Sequence, residues 1–359
     1  MDAGGAETFL MKIYRNLDKS KYQMDFCVSS KEEGYYDKEI RKMNGNIYYS
    51  TPKSKGPIKS FNSIYKIVKK NEYKYVLRVS QNSIASIELL AAKLAGAKVL
   101  AFRSSNSKTM KGGYEDLIHF MFKPLLKIIS NVKIAPSNYA AKFMFGNSKK
   151  INILKNGIPL NNFIYDNEAK NNIKNELGIS EDTFVVGHIG RFNAQKNHKK
   201  IIEIFNEIIK NKPNSKLVLI GKGELESEVK KQVKQLGIEE KVLFLGIRND
   251  VNKILSIFDV FLFPSFYEGM PNTVIEAQAN GVPCVISNTI TEEVKICDNV
   301  YMLDLENDNK NWCKKCLTSI SRYTDNKNAV KLQKNGYDIK DVTDYFIKII
   351  YERSINNKW

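Results

Sequence analysis

The chain has no hydrophobic run of the roughly 18 residues that a bilayer-spanning helix needs, which excludes a helical membrane span. Its start lacks the basic-then-apolar pattern of a secretory leader, so export is not expected. Histidine is scarce, with three in 359 residues, and the five cysteines (Cys27, Cys284, Cys297, Cys313, Cys316) are scattered and odd in number. That fits reduced thiols in a cytoplasm better than a disulfide framework. Cys313 and Cys316 make a lone CxxC in a helical stretch; without a second pair, zinc is not expected. No short-period repeat or low-complexity tract is found either.

What is abundant is positive charge, and it is unevenly placed. The whole chain holds 56 Lys and Arg against 39 Asp and Glu. Residues 1–160 hold 28 basic against 12 acidic residues, a net of +16, and the remainder 28 against 27, a net of +1. Lys53, Lys55, Lys59, Lys66, Lys69, Lys70 and Lys74 form the densest stretch. Anionic headgroups attract such a surface by about 1 kcal/mol per basic residue, and salt screens the attraction. A solvated lysine-rich face is the plainer reading. Nucleic acid is not expected as a partner, because no recognisable module or aromatic interleaving accompanies the charge.

With 43% hydrophobic residues, a chain of this length can bury two domain cores. Apolar β-branched runs at 24–28, 46–49, 75–79, 98–102, 132–135 and 151–154 read as strands, with helical patterns at 8–17 and 84–95 between them. The second half repeats the rhythm, with strands at 184–188, 216–220, 242–245, 260–263, 283–286 and 300–303 and helices at 200–210 and 224–236. Strand and helix in alternation imply βαβ units, parallel sheets and right-handed crossovers. The Asn-rich stretch 156–180 is the linker candidate, which divides the chain into domains at 1–160 and 161–340. Open α/β sheets bind ligands at the carboxyl ends of their strands, so the loops that follow strands are where chemistry is expected.

Three such loops stand out. Gly187, His188, Ile189, Gly190, Arg191 and Phe192 end a strand in glycines and a cation, with Gln195, Lys196 and Asn197 close behind. Arg191 and Lys196 suit a diphosphate, one as a planar fork and the other as a point charge. Gly221, Lys222 and Gly223 form a GxG after a strand, but the third glycine of a dinucleotide fingerprint would fall at Glu226, which disfavours a nicotinamide fold. The third loop runs from Pro264 through Glu268, Gly269, Met270, Pro271, Asn272 and Thr273 to Glu276, and a helix is expected to begin near 271–273. Free N–H groups and the positive dipole end at a helix start make an anion site. Thr273 and Glu276 also read as a capping box, an ordinary structural role.

Two glutamates with seven residues between them, as Glu268 and Glu276 here, resemble the donor-site motif of the family 4 retaining glycosyltransferases, the capsule and exopolysaccharide members above all. Gly190, Arg191, Phe192 and Lys196, the Gly221 turn, the Phe263 to Ser265 run, Gly281 to Pro283, and Gly4 and Gly5 at the start fall in the family's order. The resemblance implies a GT-B fold, an α/β architecture of two facing Rossmann-like domains with parallel sheets. A final helix at about 341–351, within a segment 341–359, would cross back to the first domain. By the same resemblance, Arg191 and Lys196 would hold the donor diphosphate and Glu268 would face the donor sugar. Amides of Met270, Asn272 and Thr273 would meet the phosphates, Gly190, Gly221 and Gly269 would admit them closely, and Glu276 would bind the ribose. The backbone at Ile247 and Arg248 would read the base, and Gly4 and Gly5 would line the cleft from the other side.

Two features depart from the family pattern. Members begin with a strand before the Gly-Gly loop, so the first strand of the N-terminal domain is expected to be missing here, through a late start site or a truncation. Phe102 stands where relatives often carry a histidine, leaving Arg103 as a weak acceptor-side candidate; His119 is expected on a helix flank. The implied activity moves a sugar from a nucleotide-sugar donor, with a UDP-sugar favoured, to a lipid-linked or growing saccharide. No acidic DxD pair stands in a suitable loop, so neither metal nor cofactor is demanded. The enzyme would work in the cytoplasm, peripheral to the inner face of an anionic membrane, where the segment 114–129 is an interfacial candidate as well as an ordinary core-facing helix. A sugar-nucleotide epimerase of the same shape and a non-catalytic saccharide- or nucleotide-binding protein stay open as alternatives. Base, sugar, acceptor, linkage and oligomeric state are not legible.

Overall fold

The computed structural model describes residues 1, 5–52, 55–105, 113–319 and 322–352. Every strand expected from the apolar runs is present, with ends shifted by at most two residues. In chain order they are β1 Phe26–Val28, β2 Ile47–Tyr49, β3 Tyr75–Ser80, β4 Val99–Ser104, β5 Val132–Ala135, β6 Ile151–Ile153, β7 Phe184–Ile189, β8 Ser215–Ile220, β9 Val242–Gly246, β10 Val260–Phe263, β11 Cys284–Ser287 and β12 Val300–Leu303. All pairings between them are parallel. The chain forms two compact units, Met1–Gly157 with the stretch from Ile339 on, and Ile158–Asp338.

The second unit carries a six-stranded sheet in the order β9-β8-β7-β10-β11-β12. That is the doubly wound order 3-2-1-4-5-6, whose direction of winding reverses between its first and fourth strands. Both faces are covered, which is why the strands read as unbroken apolar runs. In β10, Val260 and Leu262 pack into one core with Ile201, Phe205, Leu217 and Trp312. Phe261 and Phe263 point the other way, to Val185, Val274, Ile275 and Ile286. Cys313 and Cys316 lie on the inner side of the helix Asn309–Thr318 beside Trp312, and burial raises both thiols. They are core residues.

The stretch expected to be a linker is instead folded. Asp166 caps the helix Asn167–Glu176 by accepting from the Ala169 amide at 3.0 Å. Ile158, Leu160, Ile173 and Ile179 join the core of the second unit. Asn167, Asn171, Asn172 and Asn175 lie within that helix, so the abundance of asparagine is no sign of looseness here.

The first unit has β3-β4-β5-β6 as one sheet and β1-β2 as another. Set against the order of the second unit, these strands occupy the outer places. The central one, held there by β7, contains no strand among the described residues. Alternation again sorts the faces: Val99, Ala101, Val132 and Ile134 meet one core, Leu100, Phe102 and Ala135 the other. Into the former pack the helices Gly5–Asn16 and Ile339–Ile347, through Phe9, Ile13 and Tyr14 and through Val342 and Phe346. Each such buried side chain is worth about 1.5–3 kcal/mol.

Candidate active site

The second unit gathers its polar residues where the winding reverses, at the carboxyl ends of β7 and β10. Asn193 accepts from the Lys196 amide at 3.2 Å and opens a single 3-10 turn, Ala194–Lys196. Asn197 then takes a left-handed conformation (φ 56°), which asparagine tolerates, and starts the helix His198–Asn211. This loop is fastened to the one after β10 by four contacts. Asn197 Nδ2 donates to the Pro264 carbonyl at 3.1 Å, and Gln195 Nε2 donates to that of Tyr267 at 2.9 Å. The Phe266 amide donates to the Gln195 carbonyl at 2.9 Å. Lys196 Nζ donates to Glu268 Oε1 at 2.6 Å.

That last pair is the electrostatic centre. The side chains of Lys196 and Glu268 are only 16% and 11% exposed. The Lys196 ammonium also stands 4.5 Å from the centre of the Phe263 ring, a cation over an aromatic face. A charge pair so nearly dehydrated interacts more strongly than one in water. Arg191, by contrast, is 71% exposed and pairs with the exposed Glu224 at 3.3 Å, a contact of small worth.

Beyond Glu268 the chain passes Gly269 and the buried Met270 and enters the helix Asn272–Ala279. Pro271 occupies the cap position with no side-chain hydrogen bond. The expected Thr273–Glu276 capping box is therefore not formed, because Thr273 already lies inside the helix. The amides of Asn272 and Thr273, in its first turn, have no intrahelical acceptor. Asn272 Oδ1 and Thr273 Oγ1 are buried without a hydrogen-bond partner among the described residues. Donor-rich, underused and next to a basic side chain, this helix start has the character of an anion site. Glu276 is half-buried on its second turn.

Glycine is required at one further place. Gly221 has φ +138°, and a Cβ there would stand 2.1 Å from the Gly190 carbonyl oxygen. The loops after β7 and β8 are thereby pressed together, and the Gly190 amide donates to Ile220 at 2.9 Å. Ile247, just past β9, is exposed, while Arg248 forks onto Asp250 and reaches Glu176 at 2.8 Å. These carboxylates raise the Arg248 pKa. Its side chain is thus a brace for the loop.

Sequence reasoning assigned nothing to His188 and His198, which support this loop from below. His188 is buried; its Nδ1 bonds the Leu262 carbonyl at 2.9 Å, and a Cβ on Gly190 would lie 2.8 Å from its Nε2. The His198 ring stacks on Phe192 with centroids 4.1 Å apart. Burial first, then its neighbour's charge, pushes His188 well below the usual imidazole value, and burial with Lys196 pushes His198 down to about 4. Both rings are neutral supports. The only available signal was their place beside Gly187 and Asn197.

Of the first-unit candidates, Gly4 lies outside the described residues and Gly5 begins the helix Gly5–Asn16. Arg103 is 2% exposed, held over the Phe9 ring at 3.6 Å and bonded to Asn156, and burial lowers its pKa to about 9. His119 lies within the helix Tyr114–Ile129, buried, with its ring stacked on Phe143 at 4.6 Å.

Two Rossmann-like units with parallel sheets in one chain have the architecture of the GT-B class. HepE of Anabaena, solved in complex with UDP and glucose, has this fold with a TM-score of 0.77 over 99% of this chain and 96% of its own, at 18% identity. The chain belongs to the group 1 glycosyl transferases: the family model matches residues 169–338, which hold the second-unit residues described above, and a glycosyltransferase relative matches most of the chain. EpsF of Bacillus subtilis (strain 168), which carries a glycosyltransferase name, is 33% identical over 301 residues, 82% of this chain and 78% of its own. A UDP-Gal:α-D-GlcNAc-diphosphoundecaprenol α-1,3-galactosyltransferase of Escherichia coli is 32% identical over 244 residues, 64% of this chain and 62% of its own. The protein is a glycosyltransferase.

Proposed function

We propose that this enzyme is a retaining glycosyltransferase of cell-surface polysaccharide synthesis that moves a sugar from a UDP-sugar to a lipid-linked or growing saccharide. The observation that carries the reading is the Lys196–Glu268 pair at 2.6 Å beside the start of the helix Asn272–Ala279. Donor phosphates would take the amides of Met270, Asn272 and Thr273, with Lys196 and Arg191 closing over them. Glu268 would then accept from hydroxyls of the donor sugar, and Glu276 from those of the ribose. UDP bound to HepE and the diphosphoundecaprenol acceptor of the Escherichia coli relative support the donor and acceptor classes.

In the transfer step the bond between the anomeric carbon and the phosphate oxygen breaks, and the leaving diphosphate keeps the electron pair. The acceptor hydroxyl attacks from the same face and gives its proton to that departing oxygen. Fixed positive charge lowers the barrier by stabilising the diphosphate as it leaves. The reading asks for no metal ion or cofactor, and places the enzyme in the cytoplasm, peripheral to an anionic membrane.

Thermal unfolding with UDP-, GDP- and ADP-sugars tests it. A UDP-sugar at a hundred times its dissociation constant should add about 2.7 kcal/mol of stability, undiminished by a chelator. Equal response to all three, or none, refutes the donor assignment. Conversion of donor without acceptor would identify an epimerase instead.

A further inference from the structure

We infer that the outward face of the helix Tyr114–Ile129 is a docking surface for an anionic lipid bilayer. The inference rests on the reading of the enzyme as one whose acceptor is lipid-linked. Leu117, Phe120, Met121 and Ile128 are 57%, 64%, 65% and 76% exposed. Their spacing of three, four and seven sets them in one stripe on the helix. The opposite face is already satisfied, with His119, Leu126 and Ile129 buried. The stripe therefore adds nothing to the core, against the ordinary core-facing alternative.

Charge identifies the occupant. Lys127 lies on the stripe, and its Nζ reaches within 3.5 Å of where a Cβ on Gly146 would stand, at the end of the helix Asn138–Phe145. Lys142, Lys149 and Lys150 are exposed, and none of these four has an ion pair among the described residues. Lys123 donates to the Phe143 carbonyl at 2.6 Å. Burial, and then Lys127, lower the Lys123 and Lys133 amines, as expected where like charges crowd. An apolar stripe bordered by unneutralised lysines is the pattern of a helix lying in a membrane interface. A second copy would bring the same positive face against this one. A nucleic acid would have no use for the stripe.

The test is flotation of the full chain with phosphatidylcholine vesicles, with and without phosphatidylglycerol, at low and high salt. The protein should float only with phosphatidylglycerol and only at low salt. Phe120→Ser with Met121→Ser should lower the partition coefficient at least tenfold, Lys127→Glu several-fold, and Val330→Ser, on the other unit, not at all. Melting temperature and the UDP-sugar response should be unchanged in all three. A Phe120→Trp variant should show blue-shifted emission on adding the anionic vesicles, a readout independent of the serine variants. Wild type that binds UDP-sugar yet does not float overturns the docking surface and spares the donor reading. Wild type that floats without a donor response does the reverse. Unaltered flotation of the double variant, an unshifted tryptophan, or a lipid-free dimer that the double variant breaks also overturns it.

Discussion

The Lys196–Glu268 pair serves folding and, on the proposed reading, transfer, and removing both charges separates the two. The ion pair spans 2.6 Å with about a tenth to a sixth of each side chain exposed. Removing one partner of a fully buried pair costs about 3–5 kcal/mol, because the other charge is left without compensation. The remaining exposure reduces this to about 2–4 kcal/mol for Lys196→Met or Glu268→Gln alone. That is a large part of a typical domain's stability of about 5–15 kcal/mol, so a dead single variant proves little. The double variant removes both charges and nearly keeps the volume. Since replacing a whole buried pair is often neutral, its stability should return to within about 1 kcal/mol of wild type. Transfer should not return. Losing fixed charge at a leaving group costs about 10²–10³ in turnover, roughly 3–4 kcal/mol. Urea denaturation gives the first quantity, and release of UDP in the presence of acceptor the second. A double variant that folds and turns over near the wild-type rate would refute the reasoning, since the pair would then be structural only.

Two further outcomes are expected. Gly221→Ala combines an unfavourable φ of +138° with a Cβ 2.1 Å from the Gly190 oxygen, so it should lower stability by about 2 kcal/mol or more and weaken the UDP-sugar thermal shift. An unchanged shift would show that the Gly190 turn does not shape the donor site. His198 is held neutral, with its folded pKa at about 4 against about 6.5 unfolded. Nothing is lost above pH 6.5; below it the unfolded chain takes up the proton first, and by pH 4 about 3 kcal/mol of stability has gone. His198→Phe, which keeps the stack on Phe192, should flatten the melting-temperature profile between pH 6.5 and 4; an unaltered slope would place the acid sensitivity elsewhere.

Much of this was readable along the chain because the signals are local. A fully buried parallel strand must be apolar throughout, so runs such as 260–263 announced themselves, as did the helix start after Pro271. The misreadings were local too. Thr273 and Glu276 have capping-box spacing, but Pro271 begins the helix two residues before Thr273. Asparagines at 156–180 looked like a linker, and four of them instead lie within a helix that Asp166 caps. Gln195, Asn197, His188 and His198 gave no sign of their roles, since each acts through a partner about seventy residues away in sequence or through ring stacking.

Sequence by itself determined the element order, the parallel class of the sheets and the family motif, because periodicity, glycine placement and residue type are properties of neighbours. Only the tertiary structure decided that Lys196 and Glu268 form one ion pair, that Arg248 is a brace, that Arg103 is buried, and that the stripe on Tyr114–Ile129 faces outward. Those facts depend on which strands lie side by side. Where the sheet reverses its winding, two loops 72 residues apart in the chain come within a hydrogen bond of each other, and no local pattern encodes that meeting.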